Sequence, residues 1–363
     1  MLAVDAAVPV EPKEIHTIEP TQQVARIRFS PDGRLLFGGG YDAKIHRWDL
    51  SGEEPVELSP IDGHRGWVQV VEFGPNGGPL FSVDSWGQLA ARSFAGQGVE
   101  GQGVELLWKN EVAHDGWIYD LSISADGQRI ATVGRDRFAR VWSAKDGARL
   151  VELPRHEHDL SRVALHPDGQ SLVTGDLFGT LRHWDLATGK LVRELTFEKL
   201  HFYDRIQDVP GIFVLQFDDA GKTLLCGGGE PARIQNHQGI PTLHQIDWET
   251  LKVRRTQQFG EAKDGFIFDL ARHPAGWFLL ASSGNPGAGQ FLITEPDAEE
   301  PFFKFTKLSN CHSIALTPDG NRAVVSATNR RSQGNGAVRD DDGNYVGNTS
   351  PLHVFDLTYG SGA

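Results

Sequence analysis

Two cysteines in 363 residues cannot build a disulfide framework. Cys226 and Cys311 both lie inside apolar runs, where a thiol behaves as a small hydrophobe rather than as a metal ligand. No stretch approaches the roughly 20 apolar residues of a membrane-spanning helix. Positive charge is in deficit, with 35 Lys and Arg against 48 Asp and Glu and a formal net charge of −13. That balance argues against a phosphate-binding surface, so nucleic acid is not expected as a partner. The opening MLAVDAAVPVEP has neither a basic start nor an apolar core. No signal peptide is therefore visible, and the expectation is a soluble chain, cytoplasmic or exported with its signal already removed. The short motifs of catalysis are missing too. There is no HExxH, no CxxCH, no Cys/His set at zinc spacing, no GxSxG elbow and no Gly-rich loop opening a helix. Apolar spacing of three and four never persists long enough to specify a helix.

What the chain has in abundance is turns, with 42 Gly and 19 Pro. Seven times a run of the Pro-Asp-Gly type follows a short apolar segment: SPDG at 30–33, GPNG at 74–77, SADG at 124–127, HPDG at 166–169, DDAG at 218–221, HPAG at 273–276 and TPDG at 317–320. Successive glycines of these runs stand 44, 50, 42, 52, 55 and 44 residues apart. A repeat of roughly 40 to 45 residues is the range of propeller blades. The third repeat reads WIYDLSIS, ADGQ, RIATVG, RDR, FARVWSAKDG and RLVEL, which is four short strands divided by tight turns. The repeats run from end to end without a linker, so residues 1–363 read as one all-β domain, a seven-bladed propeller, with 1–12 as a flexible N-terminal segment. The last repeat ends after LHVFDL (352–357) with no fourth strand, while KEIHTI (13–18) has strand character and no sheet of its own. Residues 13–18 are expected to complete the last blade and close the ring, which protects sheet edges that would otherwise template pairing.

The ends of the third strands carry a family resemblance. Trp48-Asp49 and Trp184-Asp185 are literal Trp-Asp pairs, Trp142-Ser143 and Phe355-Asp356 are relaxed versions, and Gly63-His64 precedes a first strand. The chain resembles the WD40 repeat family of β-propellers over nearly its whole length. The resemblance implies a hydrogen-bonded set in each blade, met in full by His114, Thr132, Asp136 and Trp142 of repeat three, which is expected to be the most regular and stable. Repeat two keeps His64 and Ser82 but has Trp86 at the Asp position and Arg92 at the Trp position. Repeat four keeps His156, Thr174 and Trp184, with Phe178 at the Asp position. Repeat one keeps Asp42 and Trp48, and repeats five to seven lack the His.

Unequal repeat lengths bear on function. The runs 227–241, 284–290 and about 329–350 and the link 198–210 all belong to one face, and insertions gathered on one face of a repeat protein mark its binding side. A tandem GQGVE at 96–105 lies on the opposite face and has no assigned role. The resemblance also implies that residues flanking the start of each first strand project around the central channel: Gln23 and Ala25, Trp67 and Gln69, Trp117 and Tyr119, Asp159 and Ser161, Gly211 and Phe213, Phe266 and Phe268, Asn310 and His312. Exposed aromatics are interface anchors. The reading is a non-catalytic binding propeller without a cofactor that holds a protein or peptide partner. Trp67, Trp117, Tyr119 and Phe268 are its anchors, and Tyr41, Arg135, Arg162 and His312 give polar specificity. An acidic loop at 340–342 and the lack of a basic field suit a peptide with apolar and some basic groups. One alternative is a propeller hydrolase or lyase with a metal in the central channel, for which Asp120, Asp269 and His312 are scattered candidates; His183 and His244 read more simply as strand residues. The other alternative is a structural subunit of a larger assembly. Asp340, Asp342 and Asn344 form a calcium candidate, but the spacing is wrong for an EF-hand and a solvated turn is the simpler reading.

Overall fold

The computed structural model describes residues 12–94, 104–204, 207–231, 239–284, 288–329 and 347–358. Among them every regular element is a β-strand except two single-turn 3-10 segments, Pro75–Gly77 and Ala262–Asp264. The strands form seven four-stranded antiparallel sheets and one two-stranded ribbon. Blade three shows the plan, with Ile118–Ile123, Arg129–Gly134, Ala139–Ser143 and Arg149–Glu152 paired in sequence order. Burial is greatest in the two middle strands and least in the outermost. The second and third strands of this blade are almost wholly buried, whereas the fourth is mostly exposed. The sequence alternates accordingly only at the edges and runs continuously apolar in the middle, where both sheet faces are covered.

Each blade packs on the next through one apolar cluster. Between blades two and three, Val70, Phe81 and Val83 meet Ile118, Ile130 and Trp142. Between blades seven and one, Ala315, Val324 and Val354 meet Val24, Ile27 and Trp48. The first strands touch their neighbours all the way round, and Val24–Phe29 lies against Ser313–Leu316, so the ring is closed. Lys13–Ile18 pairs antiparallel with Leu352–Asp356, from Lys13 opposite Asp356 to Ile18 opposite Leu352. The last blade therefore takes its outer strand from the beginning of the chain.

The Pro-Asp-Gly runs turn the chain between first and second strands. In the first, Gly33 N–H donates to Ser30 O (2.8 Å) and Gly33 sits at φ +70°, which glycine adopts without steric cost. In the fifth, Gly221 at φ +65° is needed for space as well, because a Cβ there would come within 2.5 Å of His166 Nε2. That imidazole donates to Gly221 O (2.8 Å) and so ties the turn of blade four to the turn of blade five.

Two segments read as long loops are ordered sheet. Thr223–Pro231 and Gly239–Asp247 are nine-residue strands paired out to Pro231 opposite Gly239, so most of the run 227–241 extends the blade-five hairpin. The link 198–210 folds on itself as the ribbon His201–Asp204 with Gln207–Pro210. Within 284–290, Gly289 and Gln290 already belong to the third strand of blade six. The calcium candidate Asp340, Asp342 and Asn344, with most of 329–350, lies outside the described residues, as does most of the GQGVE repeat.

The polar sets inside the blades differ from their sequence reading at two places. In blade three Trp142 Nε1–H donates to Thr132 Oγ1 (2.8 Å), Thr132 Oγ1 lies 2.8 Å from His114 Nε2, and His114 Nδ1 lies 2.9 Å from Asp136 Oδ1. In blade two the carboxylate comes not from the turn position of Trp86 but from Asp84 at the strand end, 3.0 Å from His64 Nδ1. Arg92 stands in for the tryptophan and donates to Ser82 Oγ (2.8 Å). A two-residue displacement along a strand keeps a side chain on the same face, which is why Asp84 can substitute. Blade one is richer than Asp42 and Trp48 alone: His46 of the third strand approaches Asp42 Oδ1 (3.1 Å) and Gln22 reaches the same ring (2.9 Å).

Candidate functional site

In six of the seven blades the first strand slips register where it enters the ring, for example between Ile118 and Asp120 and between Leu160 and Arg162. A bulge leaves two successive residues unpaired by the usual alternation and bends the strand. In blades one, three, four and six two adjacent residues consequently face the channel, one above the other: Ala25 and Arg26, Tyr119 and Asp120, Ser161 and Arg162, Phe268 and Asp269. The upper residues are Ala25, Gln69, Tyr119, Ser161, Phe213, Phe268 and His312, and all seven line one cavity of about 500 Å³ at the channel mouth. These are the second members of all seven flanking pairs named from the sequence; of the first members, Gln23 and Asp159 also line the cavity.

Below them stands a charged layer, formed by the residues that follow. Arg26 Nη1 donates to Asp120 Oδ1 (2.6 Å), and Arg28 donates to Glu72 (2.8 Å) and to Asp269 (3.1 Å). Asp120 also accepts from Val163 N–H (3.0 Å), and Asp269 accepts from Ser313 Oγ (2.6 Å) and Ile314 N–H (3.1 Å). These contacts cross blade boundaries and pin the first strands together. Burial pushes the Asp269 carboxyl up, but Arg28 and Arg26 outweigh it and hold the group below the ordinary carboxylate range. The metal-centre candidates are thus engaged otherwise: Asp120 and Asp269 serve arginines and backbone, while His312 Nε2 lies 2.6 Å from Thr328 Oγ1. Burial lowers the His312 pKa to about 4, so at neutral pH it is an uncharged ring. Among the described residues no three His, Cys, Asp or Glu side chains converge. His183 is held between Ser171 Oγ (3.0 Å) and Arg193 Nε (3.0 Å), and His244 bonds Thr256 (2.9 Å) and stacks on Phe197, so both are strand residues with local partners.

Aromatic side chains continue the cavity wall onto the surface. On one side Tyr41 stacks on Trp67 (centroids 4.6 Å, planes 3° apart), Trp67 meets Trp117 edge-on (5.5 Å), and Trp117 leans on Tyr119 (5.9 Å). Trp67 is 43% exposed although it sits in this run. Across the channel Phe213 packs on Phe268 (4.6 Å), and Phe268 meets His312 edge-on (6.3 Å). Burial pushes the Tyr41 and Tyr119 hydroxyls up, with Asp159 adding to the shift at Tyr119 and Arg135 opposing it. Both phenols are therefore hydrogen-bond donors at neutral pH.

The eight residues singled out from the sequence thus fall into three groups. Tyr41, Tyr119, Arg162, Phe268 and His312 line the cavity, and Trp67 and Trp117 extend it. Arg135 is exposed and does not line it. Arg162 is not a surface group but part of the cavity floor, because the bulge turns it inwards. Sequence reasoning placed Phe213 at the channel without giving it a role, and missed Arg26 and Arg28. Their signal is the position itself, since each lies on a first strand at or after a flanking position already marked.

Three stretches match the WD40 family (WD domain, G-beta repeat): residues 12–49, 108–143 and 147–185. The first spans the closing strand and three strands of blade one, and the other two likewise begin with the outer strand of one blade and end with the third strand of the next. The chain carries WD40 repeats. Its sequence repeat is offset from its blades, and this offset is what lets residues 13–18 close the ring. It is 26% identical over 229 residues to a guanine nucleotide-binding protein subunit beta of Nicotiana tabacum, covering 59% of this chain and 58% of the relative. It is 28% identical over 168 residues to the small ribosomal subunit protein RACK1 of Drosophila melanogaster, covering 46% of this chain and 49% of the relative. It is 34% identical over 177 residues to apoptotic protease-activating factor 1 of Rattus norvegicus, covering 47% and 13%. The chain thus spans about half or less of the length of most of these curated relatives.

Proposed function

We propose that this WD40 propeller is a non-catalytic binding module that holds a protein or peptide partner across the mouth of its central channel. The observation that carries this reading is the continuous run Tyr41, Trp67, Trp117 and Tyr119, part exposed, at the edge of a cavity large enough for a side chain. Rigid aromatic rings bury large area at small entropic cost, and they dominate interface energetics. Two of the relatives are by name subunits of larger assemblies, which supports a binding role.

The test is site-directed photo-crosslinking from position 67, followed by affinity measurement of the captured partner. Trp67→Ala is expected to weaken that partner by about 2 kcal/mol or more, as central anchors do. A partner that ignores Trp67→Ala and Trp117→Ala but is lost on changing the rim would overturn the reading. The rim is the specific second possibility, because the fourth strands expose Leu106, Leu107, Leu150, Leu191 and Val192, the surface a structural subunit would bury.

A further inference from the structure

Three arginines stand in the channel wall, and two of them have carboxylate partners: Arg26 has Asp120, and Arg28 has Glu72 and Asp269. The third does not. Arg162 donates from Nε to Phe213 O and from Nη1 to Ser161 O (2.6 Å), both backbone carbonyls, and its guanidinium lies 5.8 Å from the centre of the Phe213 ring. No described carboxylate lies within ion-pair distance of it, Asp159 on the same cavity wall included. A guanidinium offers five N–H donors in a planar fork. Carbonyl dipoles hold this one in place without neutralising it. Burial lowers its pKa to about 10, with Asp120 and Asp269 opposing the shift and Arg26 adding to it, so it is still a cation at neutral pH. A desolvated cation at the bottom of an aromatic cavity is costly by itself and favours a ligand that supplies the anion.

We infer that the partner segment inserts an Asp or Glu side chain into the channel mouth, where its carboxylate pairs with Arg162. The inference rests on the binding reading above and gives it a chemistry. The phenols of Tyr41 and Tyr119 line the same cavity and can donate to the same anion. An internal side chain is favoured over a chain end because aromatic surface lies on both sides of the cavity, in blades one to three and again at Phe213 and Phe268. A segment crossing the mouth contacts both arcs only if it continues on either side of the inserted residue. The occupant is therefore acidic at its centre, in contrast to the basic peptide expected from the loop at 340–342.

The probe is a library of random peptides displayed between fixed Gly-Ser flanks, so that none has a free carboxyl terminus, selected on the intact chain. Enriched peptides are expected to share one Asp or Glu flanked by apolar residues and to be lost on Trp67→Ala. Changing that residue to Asn or Gln should weaken binding to the parent chain at least about tenfold, whereas the same change should have little effect on binding to Arg162→Met. The peptide-side change needs no protein variant, so it decides the question even if Arg162→Met fails to fold. Enrichment of peptides that depend on Trp67 but carry Lys or Arg, or no charge, overturns this inference and leaves the binding face standing. Peptides indifferent to both Trp67→Ala and Arg162→Met overturn the face itself, and so does a selection that yields no binder at the channel mouth.

Discussion

Blades three and four carry the same His, Thr and Trp at the same places, yet they build different interiors. In blade three Asp136 accepts from both His114 and Arg140 (2.9 and 2.6 Å), and every member of the set is joined. In blade four the corresponding turn position is Phe178, whose ring is stacked between His158 (3.7 Å) and His201 (4.0 Å). Arg182 still approaches His156 Nδ1 (2.9 Å), as Arg140 approaches His114 Nδ1 (2.9 Å), but the turn offers no carboxylate for the two to share. Trp184 still donates to Thr174 Oγ1 (3.0 Å), but His156 Nε2 and Asp176 Oδ2 are buried with no hydrogen-bond partner. One side chain at the turn thus decides whether the histidine and the arginine of the third strand share a carboxylate. Blade two makes the same point from the other side, because Ala90 stands where the arginine would be and His64 reaches Asp84 unopposed.

The comparison is broken or sharpened by matched substitutions. At the carboxylates, Asp136→Ala leaves a buried imidazole donor without its acceptor and Arg140 with Glu152 alone, and should cost about 1 to 3 kcal/mol. Asp176→Asn keeps the oxygen that accepts from Phe178 and Thr180 N–H and removes only a buried, half-satisfied charge, so the denaturation midpoint should hold or rise. Equal losses at the two sites would show that the sets are equivalent after all. The threonines come next. Thr132→Val breaks two bonds and Thr174→Val one, and chemical denaturation should place them about 1 kcal/mol apart, near the worth of one hydrogen bond. Their midpoints should be the same if His156 does in fact bond Thr174.

In acid the two blades are compared through the histidine of blade four. Burial, with Arg182 adding to it, lowers the His156 pKa to about 3. The unfolded chain takes up that proton as pH falls through about 6.5, while the folded chain does so only near 3. Stability from the neutral ring is therefore present above this window and lost progressively across it. His156→Gln should flatten the pH dependence between these limits by at most one proton, read from denaturation midpoints at several pH values. Asp176 has the opposite sign: burial raises its pKa, so its contribution is present in acid and lost as pH rises through the folded value. A His156 variant with an unchanged pH profile would mean that the ring is solvated in the folded chain.

Much of the site was legible because turns and strand starts are local. Tyr119, Phe268 and His312 could be placed around the channel by counting from the start of each first strand. Asp84 could not be assigned to the His64 set by counting, since two residues of displacement along a strand are invisible until the histidine is seen to reach it. Arg162 is the sharper case: by strict alternation it would not share the face of Ser161, and only the bulge between Leu160 and Arg162 brings both to the channel.

By itself the sequence determined the repeat, the number of blades and the closure by residues 13–18, because Pro-Asp-Gly turns and short apolar runs fix strand and turn locally and an unpaired strand has one edge left to join. Tertiary structure alone decided which polar groups meet across blade boundaries. Whether Arg26, Arg28 and Arg162 find carboxylates depends on side chains from different blades 40 or more residues apart in sequence, as with Arg28 and Glu72. Their encounter is set by ring closure and strand bulges, and no spacing within one repeat records it.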